Sequence, residues 1–232
     1  MGHFYLRSLE WQKAERELKR AIELNPNYAM AHLLYSEIFR AYRSFDKAMD
    51  EIKRAQSLDP LSPTCSTFVG VAHFNLGNSD AAFETWRSVL EIAPNFLMTR
   101  LFLTVAYLKL GRGEEAIAEA QQAAELSGRG SLFLGILGYA YALSGKRAEA
   151  LAVIDELKEK QAAGEAGGFN LAQVYTGLKE NDQAISWLER DFETGNTIFL
   201  TNITASYFYD HLCNDSRYQN LLRRIGIPAD EI

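Results

Sequence analysis

A 34-residue period runs through the chain and limits its possible folds more than any other feature. Alanines stand at Ala14, Ala48, Ala82, Ala116, Ala150 and Ala184, each 34 residues after the last, with no insertion or deletion. One such column would carry little weight in an alanine-rich chain, but three others share its register. Small residues recur at Gly2, Ser36, Gly70, Thr104, Gly138 and Ala172. Ring-bearing residues follow three positions later at Tyr5, Phe39, His73, Tyr107, Tyr141 and Tyr175. The unit closes on Pro26, Pro60 and Pro94, a column that then passes to Gly128, Ala162 and Asn196.

Each unit has the pattern of a helical hairpin. An apolar stretch of period 3.6 is followed by a break and then by a second such stretch. Gly77, Gly111 and Gly145 occupy the break, where a helix has to stop and the chain has to turn. In the second stretch of the first unit, Ala14, Leu18, Ala21 and Ile22 share one face, with Glu15, Lys19 and Glu23 outside it. Proline ends the unit because it cannot continue a helix, and Asn27, Ser62 and Asn95 are placed to cap the next one. Small columns let paired helices approach closely, and the ring column fills the gap between hairpins. His73 is expected to pack as a tyrosine would.

A 34-residue helix–turn–helix with small, aromatic, alanine and proline columns resembles the tetratricopeptide repeat (TPR), from Met1 to about Ile198. The resemblance implies an all-α fold, a right-handed superhelix of such repeats closed by a C-terminal capping helix. The expected organisation is one array over 1–232, with a truncated repeat at 1–28 and full repeats at 29–62, 63–96, 97–130, 131–164 and 165–198. The cap then spans 199–232. In register the first unit would begin about five residues before Met1, so its first helix is expected to be cut, as in a fragment of a longer product. The early aromatic of the family pattern is replaced by His32, Ser66, Arg100, Leu134 and Gly168. Gly164–Gly168 points to a looser join between the last two units.

The tail extends the resemblance. Asn214–Pro228, with Leu143–Ala150 and Ala184–Glu189, is similar to the closing part of TPR modules in bacterial signalling proteins. In those relatives the array follows a winged-helix, nucleotide-cyclase or serine/threonine kinase domain, none of which lies in this chain. Tyr218, Leu221, Leu222 and Ile225 form one apolar helical face suited to covering the open end of a repeat stack.

Composition narrows the function. The net charge of −6 lacks the basic face that phosphate backbones require, so nucleic acid is not an expected partner. Two isolated cysteines, Cys65 and Cys213, fit a reducing compartment, and a cytoplasmic location is expected. Hydrophobic residues make up 47% of the chain, yet no apolar run reaches membrane-spanning length. His3, His32, His73 and His211 have no metal-ligand spacing, and no phosphate-binding glycine loop or nucleophile elbow occurs. No catalytic, metal or cofactor site is expected, and the chain is not expected to be an enzyme. Glu114, Glu115 and Glu149 stand where second helices begin, which suits the helix dipole. Glu119 is expected on an outer face.

The TPR pattern implies that first helices line a concave groove for a protein or peptide partner. Its positions map to Arg40 in the second unit and to Thr67, Val71, Phe74 and Asn75 in the third. They continue with Met98, Leu101 and Val105, then Tyr139, then Phe169, Asn170 and Gln173. The groove departs from the basic, asparagine-bearing type that grips a chaperone's terminal carboxylate. The expected function is a protein-binding scaffold or adaptor. The alternative is self-association, a homo-oligomer formed through the truncated first hairpin.

Overall fold

A computed structural model describes residues 11–196 and 208–226, without the Trp11 side chain. Gly2, Tyr5 and the first half of the truncated hairpin lie outside these residues. The described residues form two compact units, 11–99 and 100–196 with 208–226. They contain twelve α-helices and no strand. The first unit holds α1 (Trp11–Leu24), α2 (Ala29–Ala41), α3 (Phe45–Leu58), α4 (Pro63–Asn75) and α5 (Ser79–Ile92). Next, α6 (Leu97–Lys109) runs across the boundary. The second unit continues with α7 (Gly113–Leu126), α8 (Ser131–Leu143), α9 (Arg147–Ala162), α10 (Gly168–Gly177) and α11 (Asn181–Glu193). A 3₁₀ turn at Asp210–Leu212 and α12 (Ser216–Arg224) follow.

Successive helices pack on one another within each unit, and α10 also packs on α8, two helices earlier, which is the stacking of a repeat array. The alanine column lies at these contacts: all six members are buried, and all but Ala48 have no exposed surface. The small column is buried from Ser36 to Ala172 as well. Gly70 shows why it must stay small, since a Cβ there would strike the indole of Trp86. That indole is locked in place, donating to the Thr67 carbonyl at 3.0 Å.

The turn chemistry repeats with the period. The residue ending the break has positive φ at Gly77, Gly111 and Gly145, and also at Arg43 and Lys179, where the glycine is missing. The next N–H reaches back to the carbonyl of the ring column. Thus Ser44 donates to Phe39, Asn78 to His73, Arg112 to Tyr107, Lys146 to Tyr141 and Glu180 to Tyr175, all within 2.8–2.9 Å. The ring residues therefore sit at hairpin tips, where Arg112 covers the Tyr107 ring at 4.6 Å and Lys47 the Phe39 ring at 5.6 Å. At the helix starts, Ser62 caps α4 by accepting from the Cys65 N–H at 3.3 Å. Asn27 does not cap α2, because Tyr28 intervenes and the Asn27 N–H turns back to the Asn25 side chain at 3.1 Å.

Two departures from the family pattern have a common solution. His32 binds Glu51 at 2.7 Å, and Arg100 binds Glu119 at 2.6 Å. Both pairs join the first and second helices of one hairpin 19 residues apart, where an aromatic would otherwise pack. Glu119 is therefore not on an outer face; it turns inward to satisfy a buried guanidinium.

At the join between the last two units, α9 and α10 pack on each other less extensively than α3 on α4 or α7 on α8, as the glycines of 164–168 suggest. Within the last hairpin, a Cβ at Gly168 would lie 2.5 Å from the Trp187 carbonyl of α11, so glycine is required at that position by close backbone approach. Beyond it, Tyr218, Leu221, Leu222 and Ile225 are all buried, and α12 packs on α11 as a cap.

Candidate functional site

The first-helix faces differ between the two units. In the first unit, Arg40 is committed before any partner arrives. Its Nε donates to Glu37 Oε1 at 3.0 Å and its Nη2 to Glu37 Oε2 at 2.6 Å, a two-pronged pair one turn apart on α2. The pair borders a narrow cleft whose other walls include Phe68, Val71 and Asn75 of α4. Thr67 is buried with its hydroxyl 2.6 Å from that of Thr99, and Val71 one turn later is buried too. Phe74 and Asn75, at the end of α4, are half-buried, and the Phe74 ring stands 6.0 Å from Trp86. Met98 is exposed.

In the second unit, Leu101 is half-buried and Val105 buried. Tyr139 and Phe169 are only 8% and 6% exposed, because the chain's own tail lies on them. The Phe208 ring meets Tyr139 edge-on at 4.8 Å, and Tyr209 meets Phe169 at 5.9 Å. Burial pushes the Tyr139 phenol well above its usual titration range, with the nearby Asp210 carboxylate adding to the rise. Asn170 and Gln173 are buried too. Asn170 Oδ1 accepts the Gly167 N–H at 3.1 Å, helping to start α10. The Asp191 carboxylate, from α11, caps the same helix start.

The column register shows which residues share the first-helix face. It is silent on the tail, because residues after the last repeat have no register, and so the covering of Tyr139 and Phe169 was not visible from spacing.

A further groove, absent from the sequence expectations, lies in the first unit at the far ends of the second helices. It has a volume of about 530 Å³ and is lined by Pro60, Leu61, Pro63, Val89 and Ile92, with Gln56, Ser66, Glu84, Thr85 and Ser88. Leu61 and Ile92 on its rim are 89% and 83% exposed. A signal for it exists: Leu61 is apolar in a column that holds Asn27, Asn95 and Arg129 in the neighbouring repeats.

Among the described residues no group of three His, Cys, Asp or Glu side chains is arranged to hold a metal ion, and no helix is long and apolar enough to cross a membrane.

Comparison with known proteins agrees with the fold. The crystal structure of TTC0263, a thermophilic TPR protein in Thermus thermophilus, superposes with a TM-score of 0.58 at 20% identity, covering 78% of this chain and 98% of that one. A crystal structure of MamA gives 0.51 at 19% identity, covering 71% and 96%. The APC/C hetero-tetramer Cut9-Hcn1 gives 0.60 at 16% identity, covering 95% of this chain and 44% of that one. No curated protein matches the sequence. The pattern of the family described as Tetratricopeptide repeat matches residues 1–63 and 105–166, more than half of the chain. With hairpins of the same period, buried small and alanine columns and successive helices packed together in both units, this chain belongs to the tetratricopeptide repeat family.

Proposed function

We propose that the chain is a protein- or peptide-binding scaffold that presents first-helix side chains to its partner, and that it serves as the interaction or regulatory part of a larger bacterial signalling protein in the cytoplasm. TPR proteins generally act as protein-interaction scaffolds. The observation that carries the proposal is the incomplete burial of large apolar side chains on first helices: Phe74 and Leu101 are half-covered and Met98 is exposed. A few side chains carry most of the energy of an interface, and partly covered apolar groups gain when a partner completes their burial. The signalling context is supported by the resemblance of the Asn214–Pro228 tail to such modules, and the cytoplasmic location by a cysteine content of two, Cys65 and Cys213, which fits a reducing compartment.

The test uses partners captured by the wild-type chain, with affinity and melting then measured for Phe74→Ala and Leu101→Ala. Each variant is expected to bind about ten- to a hundredfold more weakly, equivalent to about 1–3 kcal/mol. Melting should change by less than a buried deletion would cause. Unchanged affinity with both variants folded would contradict the proposal.

A further inference from the structure

The segment Phe208–Leu212 belongs to no repeat, yet it lies on the first helices of the second unit. Its aromatic pair divides between two repeats, Phe208 against Tyr139 of α8 and Tyr209 against Phe169 of α10. Asp210 reaches Lys109 of α6 at 3.4 Å, and His211 Nε2 bonds Asn181 Oδ1 at 3.0 Å. Side chains from three successive hairpins thus hold one short aromatic–aromatic–acidic stretch.

The apolar fit is close and the polar fit is poor. Tyr209 has no exposed surface, but its hydroxyl has no hydrogen-bond partner. On α10, Asn170 Nδ2, both amide atoms of Gln173 and the Thr176 hydroxyl are equally buried and equally unpartnered. They recur every three residues along one helix face. Buried polar groups of folded proteins nearly always find a partner, and several orphans along one helix face leave hydrogen-bonding capacity that this conformation does not use. A carboxamide with both its acceptor and its donors free is the side chain best suited to pair with a peptide unit. Gly135 of α8 keeps the approach to it narrow, since a Cβ there would strike Gln173 Oε1.

We propose that the α8/α10 face is a docking site for peptides carrying two adjacent aromatic residues followed by an acidic one. In this conformation Phe208-Tyr209-Asp210 occupies the site in cis as a displaceable latch. The inference rests on the peptide-binding role proposed above and adds the chemistry of the partner. A competing peptide would take over the ring contacts and the lysine, and its main chain would give the Gln173 amide the partners it lacks in this conformation.

The probe is a fluorescent synthetic peptide with the sequence of residues 208–213, titrated into the full chain. Wild type should bind it weakly, because the site is filled. The double variant Phe208→Ala, Asp210→Lys should bind it about tenfold more tightly or better, as expected when a competing state is removed. A peptide with both aromatics replaced by alanine should not bind. Equal affinity of wild type and variant, or no binding to either, overturns the proposal. Should the double variant unfold, hydrogen exchange on wild type decides. The Leu212 and Cys213 amides, which donate to the Tyr209 and Asp210 carbonyls, should exchange at least about tenfold faster than the amides inside α8 and α10. Equal protection would make the segment an integral part of the core and end the proposal. Peptide binding lost while Phe74 and Leu101 still mediate partner binding removes the latch alone; loss of both removes the broader function too.

Discussion

The carboxylate of Asp191 on α11 caps α10 at Gly168 across the hairpin. Its Oδ1 accepts the Gly168 N–H at 2.8 Å and its Oδ2 the Phe169 N–H at 2.6 Å, while Asn196 Nδ2 donates at 3.2 Å. The bare backbone of Gly167 and Gly168 lets the acid come this close, since a Cβ at Gly168 would stand 3.0 Å from Asp191 Oδ1. An asparagine in place of Asp191 would turn an N–H₂ toward a backbone donor. Asp191→Asn is therefore expected to lose about 1.5–3 kcal/mol of stability, the range for a hydrogen bond to a charged group. Urea unfolding measures this. A loss below about 0.5 kcal/mol would show that the cap is dispensable.

Glu119 gives the second prediction. It is the partner of the buried Arg100 guanidinium, so Glu119→Ala should cost about 1–3 kcal/mol by leaving a charge poorly compensated. Ala118→Arg, next door and exposed, should stay within about 0.5 kcal/mol. Ala116→Arg should cost more than either, because overpacking alone costs about 1–3 kcal/mol and a buried charge adds to it. Thermal melting of the three variants ranks them.

At the hairpin turns, Arg43 and Lys179 hold φ values of 54° and 61° that other repeats assign to glycine. Arg43→Gly and Lys179→Gly should each stabilise the chain modestly, because the left-handed conformation costs a side-chain-bearing residue about 1 kcal/mol. The reverse change, Gly77→Ala, should destabilise by a similar amount. Denaturant midpoints are the measure, and a loss of stability in both glycine variants would count against the shared turn geometry.

His211 sets a pH dependence in the tail. Burial and the charge of Lys179 oppose its protonation, and Asp210 offsets them only in part, so its folded value is lowered. The unfolded chain then binds the proton more readily. This contribution to stability is present above the ordinary histidine value of about 6.5 and is lost as pH falls toward the lowered folded value. Replacement by asparagine removes that proton uptake, so melting of His211→Asn should fall less on mild acidification than melting of wild type. The same or a steeper fall in the variant would assign the slope to other groups.

The hairpins were legible in the sequence because their cause is local and periodic: the alanine, small and turn columns each answer one packing or φ requirement, and all repeat. What was hidden depends on side chains from different columns. The inward turn of Glu119 follows from an arginine 19 residues earlier, and the close approach at Gly168 within the last hairpin follows from Asp191 and Trp187 in the next helix. Glycine spacing alone cannot separate a flexible joint from a close approach. For the first-helix positions, the register shows which residues share a face. It does not show that Arg40 is already paired with Glu37, or that Phe208 and Tyr209 return to cover Tyr139 and Phe169.

Site-specific photo-crosslinking reads out whether partners bind on first helices. A photoreactive residue is placed at Asn75, at the end of first helix α4, and in a separate chain at Arg87, exposed on second helix α5. Both positions lie in the first unit, so the two chains differ only in the face they probe. Crosslinks to a bound partner from position 75 and none from position 87 are predicted. Crosslinks from position 87 alone would move the binding surface to the second helices and overturn first-helix binding.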